Sequence, residues 1–290
     1  MVKLIASIIG GIELGGTFAL ISLGIVLAFR ATKVFNFAQG QLLLLPAFIL
    51  GYSEVHNVPL SISIPLAFIV NILVSVSFYF LVLNRTTNLP LFMGIIATLG
   101  LAAILDGAMG ILFQVGQYQI NIPGVPKGFV LIYGAGISKA EIFFAIFTLV
   151  IAIIFAAVIR YTHIGLSLTA AGQNALLSSQ CGLQVRRLHA ISWGLAATLA
   201  AIAGISYGTS TIANTSMAGL GLDALPAIML GGLDSIEGAI FGGLVVGLIE
   251  SFTASYLGGP YINLVTYSLL LVLLMLRPQG IFGTKEVVRA

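Results

Sequence analysis

Charge is scarce in this sequence. Only 7% of its 290 residues are Asp, Glu, Lys or Arg, 12 basic against 9 acidic, where a water-soluble domain carries about 25%. A charged, water-facing surface is therefore excluded over most of the chain. The net charge of +3 is spread singly between apolar runs, which leaves no basic stripe to track a phosphate backbone and no nucleic-acid partner to expect. Cysteine is all but missing, with Cys181 alone, and the three histidines stand far apart at 56, 163 and 189. Neither an internal disulfide nor a zinc-type cluster follows from such spacing. The sequence also lacks G-x-x-x-x-G-K-[ST] and G-x-S-x-G, so it has no visible means of hydrolysing ATP or an ester. It reads as a chain that is not an enzyme and holds no cofactor or metal of its own.

Apolar length is what the sequence has. Hydrophobic residues make up 59%, with 34 glycines, and runs near 20 residues recur at the length that spans a bilayer core. The expected fold is an all-α integral membrane protein, a single transmembrane domain over residues 1–290. Eight full spans are predicted: Ala6–Phe29, Asn36–Tyr52, Leu60–Leu83, Pro90–Phe113, Ala140–Arg160, His189–Ile212, Gly238–Tyr256 and Tyr261–Leu276. The first exceeds the apolar core of a signal peptide and reads as a retained span. A ninth segment, Asp223–Gly232, covers roughly 15 Å as a helix, about half the core thickness. It is expected to be a half-helix buried in protein, because lipid cannot satisfy its open ends.

Basic residues fix the expected orientation. With the amino terminus outside, the carboxyl terminus in the cytoplasm and all nine segments changing side, Arg30, Lys33, Arg85, Arg160, Arg186, Arg187, Arg277, Lys285 and Arg289 are cytoplasmic and only Lys3, Lys127 and Lys139 are external, as the positive-inside rule asks. The external loop over 114–139, with Pro123, Pro126 and several glycines, is expected to be an ordered cap or docking surface. The cytoplasmic loop over 161–188 is long for an idle connector and suits short helices at the membrane surface that dock a partner.

Polar residues inside spans are candidates for the pathway. Glu13 lies about 10 Å into the first span, with Gly10, Thr17, Leu20 and Gly24 near the same face. It is expected either to meet an amino acid's ammonium from a pathway wall or to serve as an interhelical hydrogen bond or a protonated acid. Asn36, Gln39 and Gln41 cluster in NFAQGQ, where Gly40 permits a break or a close approach; Asn36 and Gln39 either touch the pathway or cap a helix at the cytoplasmic interface. Asn71 and Asp106 are expected to bond between helices, while Asp223 is expected to cap the half-helix and Asp234 with Glu237 to form a capping box, the alternative being solute contact at a half-helix end near midplane. Glycine pairs at 11/15, 204/208, 238/242 and 243/247 suggest close helix packing within the subunit.

Three stretches carry a family resemblance: GIELGGTFALISLGIVLAFRATKVFNFAQGQ, AAGQNALLSSQCGLQVRRLHAISWGLAATLAAIAG, and LPAIMLGGLDSIEGAIFGG followed by LRPQGIFG. Together, from about Gly11 to Gly283, they resemble the permease subunits of bacterial branched-chain amino acid ABC transporters. The resemblance implies a multi-pass permease of the bacterial inner membrane. Its implied partners are a second, different permease subunit, two cytoplasmic ATPases that bind ATP and Mg, and an extracytoplasmic substrate-binding protein. By position, Gly165, Ala171, Asn174, Ala175 and Gly182 match the coupling region that seats in an ATPase groove. The family pattern has an acidic residue near Gln173 and Asn174 and alanines where Ser178 and Ser179 stand. Relatives in the wider family handle amides, urea and aromatic acids, so those substrates are the alternative, with a gradient-driven transporter or solute channel behind them.

Overall fold

The computed structural model describes residues 2–86, 91–114 and 116–283. In chain order, α1 (Val2–Thr32) and α2 (Gln39–Val55) precede α3 (Leu60–Phe78), which runs through a π-helical turn at Tyr79–Leu83 into α4 (Asn84–Thr86). Next come α5 (Leu91–Phe113), the strands β1 (Phe129–Ile132) and β2 (Ala135–Ser138), α6 (Lys139–Tyr161), α7 (His163–Gln173), α8 (Ala175–Gln180) and α9 (Val185–Ser210). A 3-10 turn at Thr215–Gly219 leads to α10 (Leu220–Asp223), α11 (Leu225–Gly231) and α12 (Ile236–Tyr256), and a second at Gly259–Tyr261 leads to α13 (Ile262–Leu276).

Among the described residues, seven helices are long and apolar enough to cross a membrane, each at a predicted run. The eighth run begins later than its hydropathy suggests: α2 has 17 residues and starts at Gln39, not Asn36. The cause is local, since Lys33 takes φ +58° and ends α1, its N–H on the Phe29 carbonyl at 2.8 Å. Pro90, Lys285 and Arg289, which the sequence reading placed at a span start and on the cytoplasmic side, lie outside the described residues.

The short ninth segment is broken into pieces. The 3-10 turn, α10 and α11 together make an apolar stretch over Thr215–Gly231. Just before it, Ala213 bridges to Tyr118 of the long loop that carries the hairpin, with N···O distances of 2.9 Å in both directions. Just after it, Glu237 pairs with Arg160 near the far end of α6 at 2.5 Å. The segment therefore takes the chain from the hairpin end of the bundle to the α7–α8 end. Its caps are not the predicted acids. Ala224 precedes α11 without a side-chain cap, and Ser235, not Asp234, caps α12 by accepting the Gly238 N–H on Oγ at 2.9 Å; Glu237 is drawn instead to Arg160.

The core forms around α1, which packs against α12, α9 and α6. Glycine makes the first of these contacts possible. A Cβ on Gly15 would sit 2.9 Å from Leu244 Cα, and one on Gly243 would sit 2.7 Å from Ala19 Cα. Gly247 likewise faces Gly15 and Gly11 backbone, while Gly204 backs onto the Leu43 carbonyl and Gly242 onto that of Ala227. Small residues let these backbones touch where lipid offers no hydrophobic drive to hold helices together. In contrast, α5, α6 and α13 turn most of their apolar side chains outward, as lipid-facing helices do.

The 114–139 loop is ordered in the parts described. β1 and β2 pair antiparallel with Phe129 opposite Ser138 and Ile132 opposite Ala135. Besides the Tyr118 bridge, the Glu54 carboxylate accepts both the Asn121 backbone N–H and its Nδ2, each at 2.8 Å.

Candidate functional site

Two helix interruptions meet inside the bundle. The start of α2 is held by Asn36, whose Oδ1 accepts the Ala38 N–H at 3.1 Å and whose Nδ2 donates to Gln39 Oε1 at 2.8 Å. Gln39 Nε2 donates in turn to the Ala196 carbonyl of α9 at 3.1 Å. Asn36 and Gln39 are each 1% exposed. The Gln39 side chain abuts Gly24, about 12 Å along α1 from its last residue by helix rise, so this turn lies well inside the bundle. Gly40 backs directly onto the Ala218 carbonyl, and a Cβ on Gly221 would come within 2.5 Å of Gly40 N. The first turn of α2 thus packs against the broken segment before α11. Discontinuous helices of this kind expose backbone groups at depth, where transporters place their solute contacts.

A cavity of about 670 Å³ opens beside this junction, lined by Tyr207, Ser210, Thr211, Ile212, Asn214, Ser216, Met217, Leu220 and Asp223. Its volume is typical of a small-molecule site. Glu13 lies behind Ser210 of this wall: the glutamate is buried, its carboxyl meets the Ser210 side chain, and its Oε1 has no hydrogen-bond partner. Thr17, one turn on, is also buried, but its hydroxyl is spent on the Glu13 carbonyl at 3.1 Å. Glu250 of α12, also buried, lies within electrostatic reach of Asp223 and beside the Thr266 hydroxyl. Tyr207 feels all three carboxyls, those of Glu13, Glu250 and Asp223. The structure thus brings Glu13 and Thr17 to one place and Asn36 and Gln39 to another. One further acid of this neighbourhood, Glu250, escaped the sequence reading. Glu250 carries the signal that singled out Glu13, an ionisable residue inside an apolar run. Asp223, read as a cap, ends α10 and lines the cavity instead.

At the opposite end, the 161–188 stretch contains two short helices, α7 and α8. Thr162 accepts the Gly165 N–H at the start of α7, and Asn174 Oδ1 accepts the Leu177 N–H at 2.9 Å, capping α8. Gly165 is buried against the Ile159 carbonyl and Ala171 is buried as well, whereas Asn174, Ala175 and Gly182 face outward. Gly182 has φ +84° with open space where a side chain would stand. Leu166, Leu176 and Leu177 are all more than half exposed. The unit is tied to α1: Arg30 Nη2 donates to Thr169 Oγ1 at 2.9 Å, and Gly172 backs onto the Arg30 carbonyl.

The remaining intramembrane candidates bond between helices, as expected. Asn71 Nδ2 donates to the Ala197 carbonyl at 2.8 Å, and Gln41 Nε2 to Asp106 Oδ2 at 3.2 Å. Asp106 is exposed on the bundle surface, on the same helix as Gly100 and Gly107, where a Cβ would meet nothing.

Comparison with known proteins adds an independent line. Residues 7–276 match the family described as branched-chain amino acid transport system / permease component. The chain is 25% identical to the high-affinity branched-chain amino acid transport system permease protein LivH of Salmonella typhimurium, over 96% of this chain and 94% of that protein. It is 28% identical to the corresponding protein BraD of Pseudomonas aeruginosa, over 97% and 96% respectively. Among solved structures, PsaBC from Streptococcus pneumoniae in complex with Fab shares its fold, with a TM-score of 0.53 at 13% identity over 96% of this chain and 93% of that one.

Proposed function

Because this chain belongs to the family of branched-chain amino acid transport permease components, we propose that it builds, with a second and different permease subunit, the membrane pathway of an ATP-driven importer for branched-chain or other hydrophobic amino acids. It is a multi-pass membrane protein and a transporter subunit rather than an enzyme. In this reading two cytoplasmic ATPases supply ATP and Mg, and an extracytoplasmic binding protein delivers the solute and sets most of the specificity. The hairpin end, with Lys3, Lys127 and Lys139, faces outward, while Arg30, Lys33, Arg85, Arg160, Arg186, Arg187 and Arg277 gather at the cytoplasmic end.

The observation that carries the reading is the α7–α8 unit, a pair of short helices with outward leucines, joined to α1 by Arg30 and Thr169. ATPase closure pushes on Asn174, Ala175 and Gly182; Gly165 and Ala171, packed inward, pass the motion to α6 and α1; the helix groups re-orient in alternating access. Glu13 and Thr17 at one depth and Asn36 and Gln39 at another mark the route. Asp106 sits on a face unsuited to lipid, since an exposed carboxyl inside a span calls for protein or water, and the open glycines beside it suit close contact with the second permease. An importer of amides, urea or aromatic acids would share this machinery and differ in its binding protein.

The test is extraction from the native membrane in mild detergent, with every stoichiometric partner identified and ATP-driven leucine uptake measured after reconstitution. An ATPase and a second permease are expected to co-purify. A lone chain indifferent to ATP overturns the proposal in favour of a gradient-driven transporter or channel.

A further inference from the structure

The hairpin in the long loop is apolar on both of its faces. It turns in two residues, Tyr133 and Gly134, with φ of +49° and +86°, a tight geometry that fixes the register and hence which side chains share a face. Val130, Ile132, Ala135 and Ile137 form one face, and β2 packs on α1 and α6 with Ala135 and Ile137 buried. Phe129 and Leu131 form the other face, opposite Ser138 and Gly136. Neither partner covers them. Gly136 has open space where a Cβ would stand, and Phe129 and Leu131 are 76% and 78% exposed. Tyr133, in the turn, is 84% exposed. Antiparallel sheets that face water on one side place polar residues there, yet residues 129–138 include no charge at all.

Position narrows what covers this face. Ser138 leads directly into α6, whose first turns point Phe143, Ile146 and Phe147 outward, so the hairpin stands where a lipid-facing helix begins. The contact suggested above for the second permease lies on α5, which packs on α2, whereas the hairpin packs on α1 and α6. A soluble partner that comes and goes fits poorly, because transient interfaces are about as polar as the rest of a protein surface and this face would stand bare in water whenever the partner left. Lipid is a permanent apolar neighbour. Lys127 and Lys139, both exposed, flank the base of the hairpin, where the Lys139 N–H joins the Gly128 carbonyl at 2.9 Å. Aromatic side chains with lysines beside them suit the boundary between headgroups and acyl chains. The backbone sets the depth: among the described residues the sheet has two strands, so each keeps an open edge, and such edges find partners among headgroups and water but not in hydrocarbon.

We propose that the hairpin is a membrane-interface anchor, with Phe129, Leu131 and Tyr133 set into the headgroup boundary of the leaflet at that end and Lys127 and Lys139 reaching lipid phosphates. The same loop joins the broken segment through the bridge from Tyr118 to Ala213, between the cavity-lining Ile212 and Asn214. The loop is thus held to lipid at the hairpin and to the cavity rim at Tyr118.

The test uses the complete complex and asks what touches the face. The photo-crosslinking residue p-benzoylphenylalanine replaces Phe129, Leu131 or, as a control, Gln119, an exposed polar residue of the same loop. After irradiation in the native membrane, mass spectrometry of this chain is expected to find lipid adducts at 129 and 131 and few at 119. Adducts to the binding protein or the second permease at 131 give the face to a protein and overturn the proposal. So do equal lipid adducts at 119, or photolysis that leaves the chain without any adduct, which gives the face to water. Leu131→Trp supplies a second measurement, read as the difference in emission between variant and wild-type complexes in nanodiscs of phosphatidylethanolamine and phosphatidylglycerol. The added emission is expected to be lost when the acyl chains are brominated and to persist in iodide; quenching by iodide with no effect of bromination overturns the anchor. ATP-driven uptake enters neither readout, so the anchor and the importer reading stand or fall separately.

Discussion

Glu13 shows what a single residue can disclose in a chain with so few charges. Its carboxyl is buried in a span with one oxygen unpartnered, an arrangement that costs stability and so marks the residue as a functional candidate. Glu13→Ala is therefore expected to lower uptake by the assembled transporter about tenfold, the loss expected for a hydrogen bond made to a charged group, while the ATPase subunits still co-purify. Uptake kinetics on reconstituted complexes check this, and wild-type rates would reduce Glu13 to packing. The residue was legible because an acid inside an apolar run stands out by chemistry alone. Asp223 was not: whether an acid caps a helix or lines a cavity depends on where the helix breaks, and the break at Ala224 comes from how the segment folds against Gly40. Asn36 fell between the two cases, flagged as polar but placed inside a helix that the left-handed turn at Lys33 postpones.

At the scale of elements, the crossing of α1 with α12 depends on glycine from both sides. Gly15→Leu would drive a side chain into the Leu244 backbone, and overpacking of this kind costs about 1–3 kcal/mol where side chains can yield and more where they cannot. The expected outcome is a lower thermal midpoint in detergent, read by size-exclusion chromatography after heating. The α7–α8 unit behaves oppositely, because Gly182 faces open space with φ +84°. Gly182→Arg strains the backbone by roughly 1–2 kcal/mol but meets no neighbour, so the subunit is expected to fold and to lose ATPase association or coupled transport. Gly182→Asn, which tolerates the left-handed conformation, should retain more coupling; equal transport by both variants and the wild type would count against docking at this site. The glycine spacing and the polar, small-residue loop were visible in the sequence. Which helix each glycine would meet was not, since the α1–α12 partners, such as Gly15 and Leu244, lie more than 200 residues apart.

Over the whole molecule, composition made the membrane fold legible before any single residue was considered, and the spans emerged within a few residues of their predicted ends. The arrangement of those spans around α1 was hidden, because apolar runs of similar hydropathy look alike whether they face lipid or protein. Their surfaces now tell them apart. The face of α5 that carries Asp106, Gly100 and Gly107 is exposed, and Gly107→Trp is expected to block close approach of the second permease. The variant chain should then remain folded but purify without that partner; retention of a stoichiometric partner would move the contact elsewhere.

The central place of α1 also bears on how the protein is made. The helix leaves the ribosome before its principal neighbours α6, α9 and α12, the last of which ends only at Tyr256. Until they arrive, Glu13, Thr17 and the glycine face lack the protein surface that makes their burial tolerable. The polar and glycine-lined face of α1 is therefore completed only after α12 has been translated. Order of synthesis and order of assembly run against each other in this fold, and α1 finds its final surroundings only with helices translated long after it.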